Sequence, residues 1–464
     1  MTCETAATGG DAHTPPVWRL AALALLILPP LAGRVLARRT PAWLTALLAI
    51  VVPVALARPM IKASRRPPVE PATGIDGQRW TVTAIVTAQN ERAVIGNLIA
   101  DLGAQDLLTN RPDAFELIVI DDRSTDDTVD VVRRAAADAG LEANLRIVRT
   151  PDDGPRLKSA ALASVPPETC RGDVIVHFDA DARVDTQFLS TVLRYVAVGV
   201  RAMTARRLVL PRRGVLAAAQ ADDIAADGAL LQGRWAAGGS SDFRGNGSIV
   251  TRELMIAVGG WPAALTEDID LATRIATTHG VPIVWAREAV VWEEPVGSWP
   301  ALWRQRVRWA EGVIRRTFRY APEVARSRHL TWRDRVEFVL YAAQLTLPGV
   351  IAGAALGARR KRTPSVAVGL LSACAIFQAI LAWHGLEDEP AWRSSKPGTA
   401  GRAAGLRRGL RAVRAALFYS IWLGTVQRGA WLIATRRGPV SFAKTRHFDS
   451  TFEGSGREPI SLRP

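Results

Sequence analysis

Three acidic clusters follow one another along this chain, each just after an apolar segment or a glycine-rich stretch. They are Asp121-Asp122, Asp179-Ala180-Asp181 and Glu267-Asp268. Carboxylates at separate strand and loop ends can hold a cation-bridged diphosphate and can take a proton from a hydroxyl group. The pattern therefore predicts group transfer from a nucleotide donor to a hydroxyl acceptor.

The first cluster ends the apolar run 118–120 and precedes Ser124 and Asp126. An acid at a strand tip can accept hydrogen bonds from a base or a ribose. Ser124 and Asp126 are also good N-terminal caps for a following helix. Taken alone, this motif leaves a ligand contact at Asp122 and a helix cap both open.

The second cluster follows the apolar run 174–178. Alternate side chains of an extended segment point the same way, and two close carboxylates repel each other unless a cation lies beside them. Mg²⁺ and Mn²⁺ prefer such oxygen ligands and leave positions open for phosphate oxygens. Asp179 and Asp181 are therefore candidates for a divalent-metal and diphosphate site. His177, inside the run, is expected to be a buried packing residue rather than a ligand.

The third cluster lies after two glycine-rich stretches, Arg244-Gly-Asn-Gly247 and Gly259-Gly260-Trp261. A capping box at Thr266 would explain only one of its acids. One of Glu267 and Asp268 fits a general base, because an attacking hydroxyl must lose its proton. Asp270 is expected to point into helix packing.

A basic and aromatic motif follows on a predicted helix. Gln305, Arg308 and Trp309 are spaced i, i+3 and i+4, so they share one helix face. Arginine suits a diphosphate, and an indole ring suits stacking on a sugar. The alternative, an Arg/Trp helix lying on the membrane, is compatible with that role. Lys158, at the start of a short helix, either meets phosphate or is a surface lysine.

From Trp80 the chain alternates β-branched runs with helical segments, which predicts an α/β domain built on a parallel sheet covered on both faces. Ligands of such sheets bind beyond the carboxyl ends of the strands, where Thr87, Asp122 and Asp179 fall. The expected strands are 81–87, 115–120, 145–149 and 174–178, with helices at 91–104, capped by Asn90, and at 126–139.

Apolar runs on either side of this domain predict membrane helices. The runs 20–33 and 41–57 are short of or near the ~20 residues of a perpendicular span, so we expect a short helical hairpin. The runs 338–358 and 364–383 are long enough to span. The run 415–435 contains Gln427 and Arg428, so we expect an interfacial helix or a third spanning helix there.

The formal charge of +15 would attract nucleic acid, an anionic membrane or a polyanionic substrate. No nucleic-acid-binding motif accompanies the basic residues, so we expect a membrane and no nucleic-acid partner. The three cysteines, Cys3, Cys170 and Cys374, are far apart in sequence. They suggest no disulfide framework, which favours a catalytic part facing a reducing cytosol.

Taken together, these residues resemble the membrane-bound branch of the family 2 glycosyltransferases, which includes cellulose, hyaluronan and poly-N-acetylglucosamine synthases. The similarity runs from about Trp80 to Gly312. It implies a GT-A fold, with a mixed, mainly parallel sheet and helices on both faces. It also implies a UDP- or GDP-type nucleotide-sugar donor, Mg²⁺ or Mn²⁺ as cofactor, and inversion at the anomeric carbon.

The resemblance implies a role for each motif residue, with Asp179-Ala180-Asp181 as the DxD motif and Gln305, Arg308 and Trp309 as the QxxRW motif. The implied roles are donor contacts by Thr87, Asp122, Lys158, Asp179 and Arg308, a metal contact by Asp181, acceptor contacts by Gln305 and Trp309, and catalysis by Asp268 with Glu267 beside it. The chain departs from the family pattern at Arg123, where a small residue is usual, and at Ala163, where asparagine is common.

The predicted organisation has six parts. They are a tail at 1–17, a transmembrane hairpin at 18–57, a basic linker at 58–79, a GT-A domain at 80–330, a membrane region at 331–446 and a tail at 447–464. We expect a hexosyl- or N-acetylhexosaminyltransferase acting on a lipid or glycan hydroxyl at the cytosolic face of the inner membrane. A processive exopolysaccharide synthase and a catalytically silent membrane scaffold remain as alternatives.

Overall fold

The structure is a computed structural model that describes residues 14–74, 80–154, 157–358, 365–387 and 399–436. The tail predicted at 447–464 lies outside these residues, as does the tail predicted at 1–17 except for its last four positions.

Two long helices precede the α/β domain: α1, Pro16–Arg39, and α2, Ala42–Ser64. Both are long and apolar enough to cross a membrane. They are longer than the hairpin expected from the apolar runs, because α1 continues through Arg34 to Arg39 and α2 passes Ala57 to end at Ser64. The first part of the predicted linker at 58–79 is therefore helical.

An eight-stranded sheet forms the centre of the α/β domain, in the order β3-β2-β1-β4-β7-β6-β8-β5. Strands β3, β2, β1 and β4 are mutually parallel, β7 is antiparallel to both of its neighbours, and β6 is parallel to β8. The predicted mixed, mainly parallel sheet is confirmed. The strands are β1 Val82–Ala88, β2 Phe115–Asp121, β3 Leu145–Arg149, β4 Val174–Asp179, β5 Arg183–Val184, β6 Ala202–Val209, β7 Ser248–Thr251 and β8 Val284–Glu293.

Helices cover both faces of the sheet. Side chains of β1 alternate between the two faces, so that Val86 packs into one apolar cluster with Leu98, and Ile85 packs into another with Leu271. The helices are α3 Ile95–Gly103, α4 Asp106–Asn110, α5 Thr128–Asp138, α6 Lys158–Ala163, α7 Phe188–Ala197, α8 Val215–Ala236, α9 Arg252–Ala257, α10 Glu267–His279 and α11 Trp299–Arg326.

Asn90 is not the helix cap that the sequence predicts. It adopts a left-handed conformation with φ 55°, and its side-chain oxygen accepts a hydrogen bond from the Thr125 backbone N–H at 2.7 Å. Helix α3 begins only at Ile95. Asn90 therefore links the loop after β1 to the loop after β2, because its side chain accepts a hydrogen bond from that second loop rather than from the first turn of its own helix.

Five helices follow the α/β domain: α12 Trp332–Ala343, α13 Leu347–Ala358, α14 Ser365–Glu387, α15 Thr399–Phe418 and α16 Ser420–Thr435. Two candidate spans lie here, Trp332–Gly357 and Ser365–Glu387, giving four with α1 and α2. Helix α16 corresponds to the run for which an interfacial position or a third span was expected. It packs against α11 of the α/β domain, and a β-carbon placed on Gly429 would lie 2.9 Å from the Glu311 backbone nitrogen.

Glycines bring the membrane helices close to one another and to the α/β domain. A β-carbon placed on Gly353 of α13 would lie 1.9 Å from the Pro30 carbonyl oxygen of α1. One placed on Gly385 of α14 would lie 2.0 Å from the Ala225 carbonyl oxygen of α8. Such backbone contact is available only to glycine and is a usual way for apolar helices to associate. The membrane helices are thus packed directly against α8.

Candidate active site

A cavity of about 390 Å³ opens at the carboxyl ends of the parallel strands and continues to the membrane helices. Parallel pairing sets Thr87 beside Asp179 at the tips of β1 and β4. The residue after β2, Asp122, donates its backbone N–H to the Ala88 carbonyl at 2.8 Å. All ten predicted site residues line this one cavity: Thr87, Asp122, Lys158, Asp179, Asp181, Glu267, Asp268, Gln305, Arg308 and Trp309.

Lys158 joins two of the acidic clusters. Its ammonium forms an ion pair with Asp179 and lies 3.4 Å from Glu267 Oε1. Burial alone would lower the pKa of Lys158, but these two carboxylates outweigh burial and raise it above the ordinary value. Burial also disfavours ionisation of Asp179, yet the Lys158 ammonium lowers the pKa of that carboxyl. Lysine and aspartate are therefore both charged.

The glycine-rich loop before β7 lies against these charged side chains. Gly245 has φ 78°, in the left-handed region. A β-carbon placed on it would lie 3.8 Å from Asp268 Oδ2, and 3.9 Å from both Asp179 Oδ2 and Lys158 Nζ. His177 contacts the Gly245 carbonyl through Nδ1 at 3.0 Å. Three charged side chains therefore converge on one backbone position, and His177 is a buried packing residue, as the sequence predicts.

Asp268 has the chemistry of a base that works near neutral pH. Burial, and then the negative charge of Glu267, raise the pKa of Asp268 to about 7. Glu267 and Asp268 begin helix α10, while Asp270 turns away and pairs with Arg319 at 2.7 Å. A carboxylate with a pKa near the working pH can take a proton and release it again.

The predicted face of α11 closes the cavity. Gln305, Arg308 and Trp309 all line the cavity. Burial lowers the pKa of Arg308 to about 10, although the negative charges of Glu267 and Asp179 act to raise it. Helix α11 comes this close because residue 312 is glycine. A β-carbon placed on Gly312 would lie only 2.2 Å from Thr266 Cγ2, next to the third acidic cluster.

The departure at Arg123 changes the surroundings of Asp122. Arg123 has φ 59°, and its guanidinium folds back so that Nε donates to Asp122 Oδ1 at 2.9 Å. The Arg123 Nη2 and the Thr150 hydroxyl donate to the same oxygen. Asp121 instead accepts a hydrogen bond from the Ser124 backbone N–H, within the loop that precedes α5. Asp122 therefore offers mainly its second oxygen to the cavity.

The candidate metal ligands that line the cavity are carboxylates, and a bound diphosphate would have to supply further oxygen ligands. Within the part of the chain that the structure describes, no group of three or more His, Cys, Asp or Glu side chains is arranged to hold a metal ion. Asp181 lines the cavity and accepts a hydrogen bond from the Glu294 backbone N–H at 3.2 Å. Mg²⁺ is commonly held by one or two carboxylates together with substrate phosphates. Asp181 fits that arrangement.

The sequence reasoning missed a second charged group in the same cavity. Asp223 and Asp227 of α8 pair with Arg306 and Arg244 at 2.8 and 3.0 Å, and Arg207 pairs with Glu293. The signal was present, since acids buried in the alanine-rich run 215–231 need partners. Those partners come from two distant segments, the glycine-rich loop at Arg244 and helix α11 at Arg306, which no pattern in the sequence relates to α8.

Side chains from the membrane helices complete the cavity. Tyr341 and Gln344 lie in the candidate span Trp332–Gly357, and Gln378 lies in the span Ser365–Glu387. Tyr419 and Trp422 come from the junction of α15 and α16. The acidic side chains and the side chains of the candidate spans therefore line the same cavity.

The sheet, the converging acids and the basic helix are the arrangement expected of a GT-A glycosyltransferase. The family model described as "Glycosyltransferase like family 2" matches residues 79–312. This chain belongs to the family 2 glycosyltransferases.

Curated relatives support the same class. The chain is 32% identical over 271 residues to a beta-monoglucosyldiacylglycerol synthase of Synechocystis sp., covering 58% of this chain and 55% of that protein. It is 29% identical over 240 residues to the probable glycosyltransferase YdaM of Bacillus subtilis, covering 50% and 54%. The chain thus spans about half the length of the curated relatives it matches.

A solved structure confirms the fold. The mannosyltransferase PcManGT from Pyrobaculum calidifontis, in complex with GDP-Man and Mn²⁺, is similar over 82% of this chain and 98% of its own, with a TM-score of 0.53. The sequence identity is 20%, so the likeness concerns the fold alone. The predicted GT-A-like fold with accompanying membrane helices is confirmed.

Proposed function

We propose that this enzyme transfers one sugar from a UDP- or GDP-type donor to the hydroxyl of a membrane lipid, with inversion at the anomeric carbon. The observation that carries the proposal is the continuity of the cavity. Asp268 and Lys158 line the same cavity as Tyr341, Gln344 and Gln378, which belong to the candidate spans. An acceptor bound in this cavity could place its hydroxyl near Asp268 and its apolar part beside the candidate spans.

The acceptor class is also supported by the relatives. Three of them, all named beta-monoglucosyldiacylglycerol synthase, are 32% identical to this chain. Diacylglycerol is therefore the first acceptor to test, and glucose the first sugar. A lipid acceptor suits single transfer, because each product can leave by the route through which the acceptor entered.

The chemistry follows from the side chains around the cavity. The acceptor oxygen attacks the anomeric carbon while the bond from that carbon to the diphosphate breaks, and the electron pair leaves with the nucleoside diphosphate. Asp268 takes the hydroxyl proton, for which its raised pKa suits it. Lys158 and Arg308 offset the charge that develops on the departing diphosphate. Such charge stabilisation supplies much of the rate gain in reactions of this type.

We assign the remaining predicted residues to binding. Thr87 and Asp122 lie at the tips of β1 and β2, where a nucleoside would sit, and Asp179 lies next to Lys158 on the diphosphate side. Gln305 and Trp309 would face the acceptor from α11. Asp181 would hold Mg²⁺ or Mn²⁺ with the donor diphosphate, and the ion would supply further positive charge to the leaving group.

We place the active site at the cytosolic face of the inner membrane. Four basic residues lie at 58–66, where the chain passes from α2 to the catalytic domain, against three at 34–39 at the other end of the helix pair, and cytosolic flanks of membrane helices carry the excess of such residues. Cys170 is a free, buried cysteine of the catalytic domain, which is consistent with a reducing compartment.

The test is a screen of the full chain reconstituted in lipid nanodiscs that contain diacylglycerol. UDP- and GDP-sugars are supplied with and without Mg²⁺ or Mn²⁺, and both nucleotide release and the lipid product are measured. We expect one donor to give a metal-dependent monoglycosylated lipid. A long carbohydrate polymer on a gel would instead identify a processive synthase. Absence of any transfer or donor hydrolysis would contradict the proposal.

A further inference from the structure

A second cavity, of about 440 Å³, lies on the outside of the helix pair α2 and α14, away from the active site. It shares no lining residue with the first cavity. Its lining residues are Val54, Ala57, Arg58, Ile61, Lys62, Arg65 and Ile380.

The groove has an apolar part and a cationic part. Arg58, Lys62 and Arg65 recur at i, i+4 and i+7, so they stand on successive turns of one side of α2 and its end. Val54 and Ile380 form its apolar walls one to two turns further into the span. A ligand that fits must therefore combine negative charge with a hydrocarbon chain.

The three cations have no acidic partner among the described residues. The ion pairs that the described parts of the surrounding helices form are made by other groups, such as Arg408 with Glu387. The side chains of Arg58, Lys62 and Arg65 are all exposed. Like charges on adjacent turns repel one another, so an anion bound among them would be stabilised by all three.

The walls of the groove are held in place. The Ser64 hydroxyl of α2 hydrogen-bonds His384 Nε2 of α14 at 2.8 Å. On the opposite side of α2, a β-carbon placed on Gly233 of α8 would lie 2.7 Å from the Met60 β-carbon. The groove is therefore fixed between two packed helices before any ligand binds, so ordering it costs little entropy.

We propose that this groove binds the headgroup and one acyl chain of an anionic phospholipid. The position supports the ligand class, because the cations lie at the end of a candidate span, at the level of lipid headgroups. A zwitterionic headgroup would bring its own positive charge to the three cations. A free phosphate would leave the apolar walls unused. The site is separate from sugar transfer, so its occupancy can be measured without catalysis.

The test measures lipid binding to the full chain by native mass spectrometry after delipidation in detergent. Phosphatidylglycerol and phosphatidylcholine are titrated separately, and a third titration adds millimolar inorganic phosphate to phosphatidylglycerol. Three proteins are compared: the wild type, R58Q/K62Q/R65Q, and the control R34Q/R38Q/R39Q. The control removes three exposed arginines from the far end of α1.

We expect the wild type to bind phosphatidylglycerol at least about tenfold more tightly than phosphatidylcholine, and free phosphate not to displace it. Each basic side chain near an anionic headgroup is worth about fivefold in affinity, so the R58Q/K62Q/R65Q variant should bind about a hundredfold more weakly. Because the replaced side chains are exposed, the variant should keep the wild-type melting temperature. An equal loss of phosphatidylglycerol affinity in both triple variants would indicate general surface attraction and would overturn the proposal. Unchanged binding by R58Q/K62Q/R65Q, or displacement of the lipid by phosphate, would also overturn it.

Discussion

Replacing Glu267 by glutamine should move the pH dependence of transfer to lower pH. Burial, and then the charge of Glu267, raise the pKa of Asp268 from 3.8 to about 7. A general base works only when it is ionised, so activity of the wild type should fall as the pH falls through 7. At pH 6 only about one tenth of the enzyme would carry an ionised Asp268.

The substitution acts on Asp268 in two ways that have the same sign. It removes the negative charge that opposes ionisation of Asp268. It also releases the Lys158 ammonium, 3.4 Å from Glu267 Oε1, to stabilise the Asp268 carboxylate instead. Removing a close like charge changes a carboxyl pKa by about one unit. The ionised fraction at pH 6 should therefore rise from about one tenth to about one half.

The assay is the kcat/KM for nucleotide release between pH 5 and 9, with each protein normalised to its own plateau. The control is Glu253→Gln, which also removes one carboxylate but lies on α9, where the Glu253 side chain is 87% exposed. We expect the acid limb of Glu267→Gln to shift down by about one pH unit and that of Glu253→Gln not to move. A wild-type midpoint near pH 4, or an acid limb that Glu267→Gln leaves in place, would refute the assignment.

Three further substitutions test other parts of the site. Asp181→Ala should abolish metal-dependent donor binding, and an unchanged Mn²⁺ titration of donor affinity would count against its assignment. Gly312→Ala should reduce transfer and destabilise the protein by about 1–3 kcal/mol, because the new β-carbon would lie 2.2 Å from Thr266 Cγ2. A melting temperature at or above that of the wild type would disprove this packing argument. Arg123→Gly keeps the left-handed backbone at φ 59° and removes the two Arg123 hydrogen bonds to Asp122 Oδ1, while that from the Thr150 hydroxyl remains. It should therefore change the ratio of UDP to GDP affinity, and an identical ratio would exclude contact between Asp122 and the base.

The parts of the site that lie on regular strands could be predicted from sequence. Thr87, Asp122 and Asp179 are placed by β-strand periodicity and by the rule that parallel strands carry ligands at their carboxyl ends. The strand at Leu145–Arg149 has the predicted bounds, β2 and β4 each extend one residue beyond the prediction, and β1 is shifted by one residue at both ends. Local patterns suffice there because each element carries its own signal.

The parts that depend on distant contacts could not be predicted. The ion pair between Asp223 and Arg306 joins α8 to α11, and no spacing in the sequence relates the two. Asn90 is a favourable cap by type, but the loop at Thr125 engages its side chain. The lengths of α1 and α2 exceed those of their apolar runs because the charged ends stay helical. Tertiary packing decides such features, and it can override local preference.

The most direct test of the account is Asp268→Asn in the reconstituted enzyme. Asparagine keeps the shape of the side chain but cannot take the acceptor proton, so transfer should fall by about 10²- to 10⁴-fold. Donor affinity, measured by titration of the nucleotide sugar in the presence of metal, should stay within about twofold, since Lys158, Asp179 and Arg308 remain in the cavity. Transfer at the wild-type rate by Asp268→Asn would contradict the claim that the converging carboxylates of this cavity supply the base for sugar transfer.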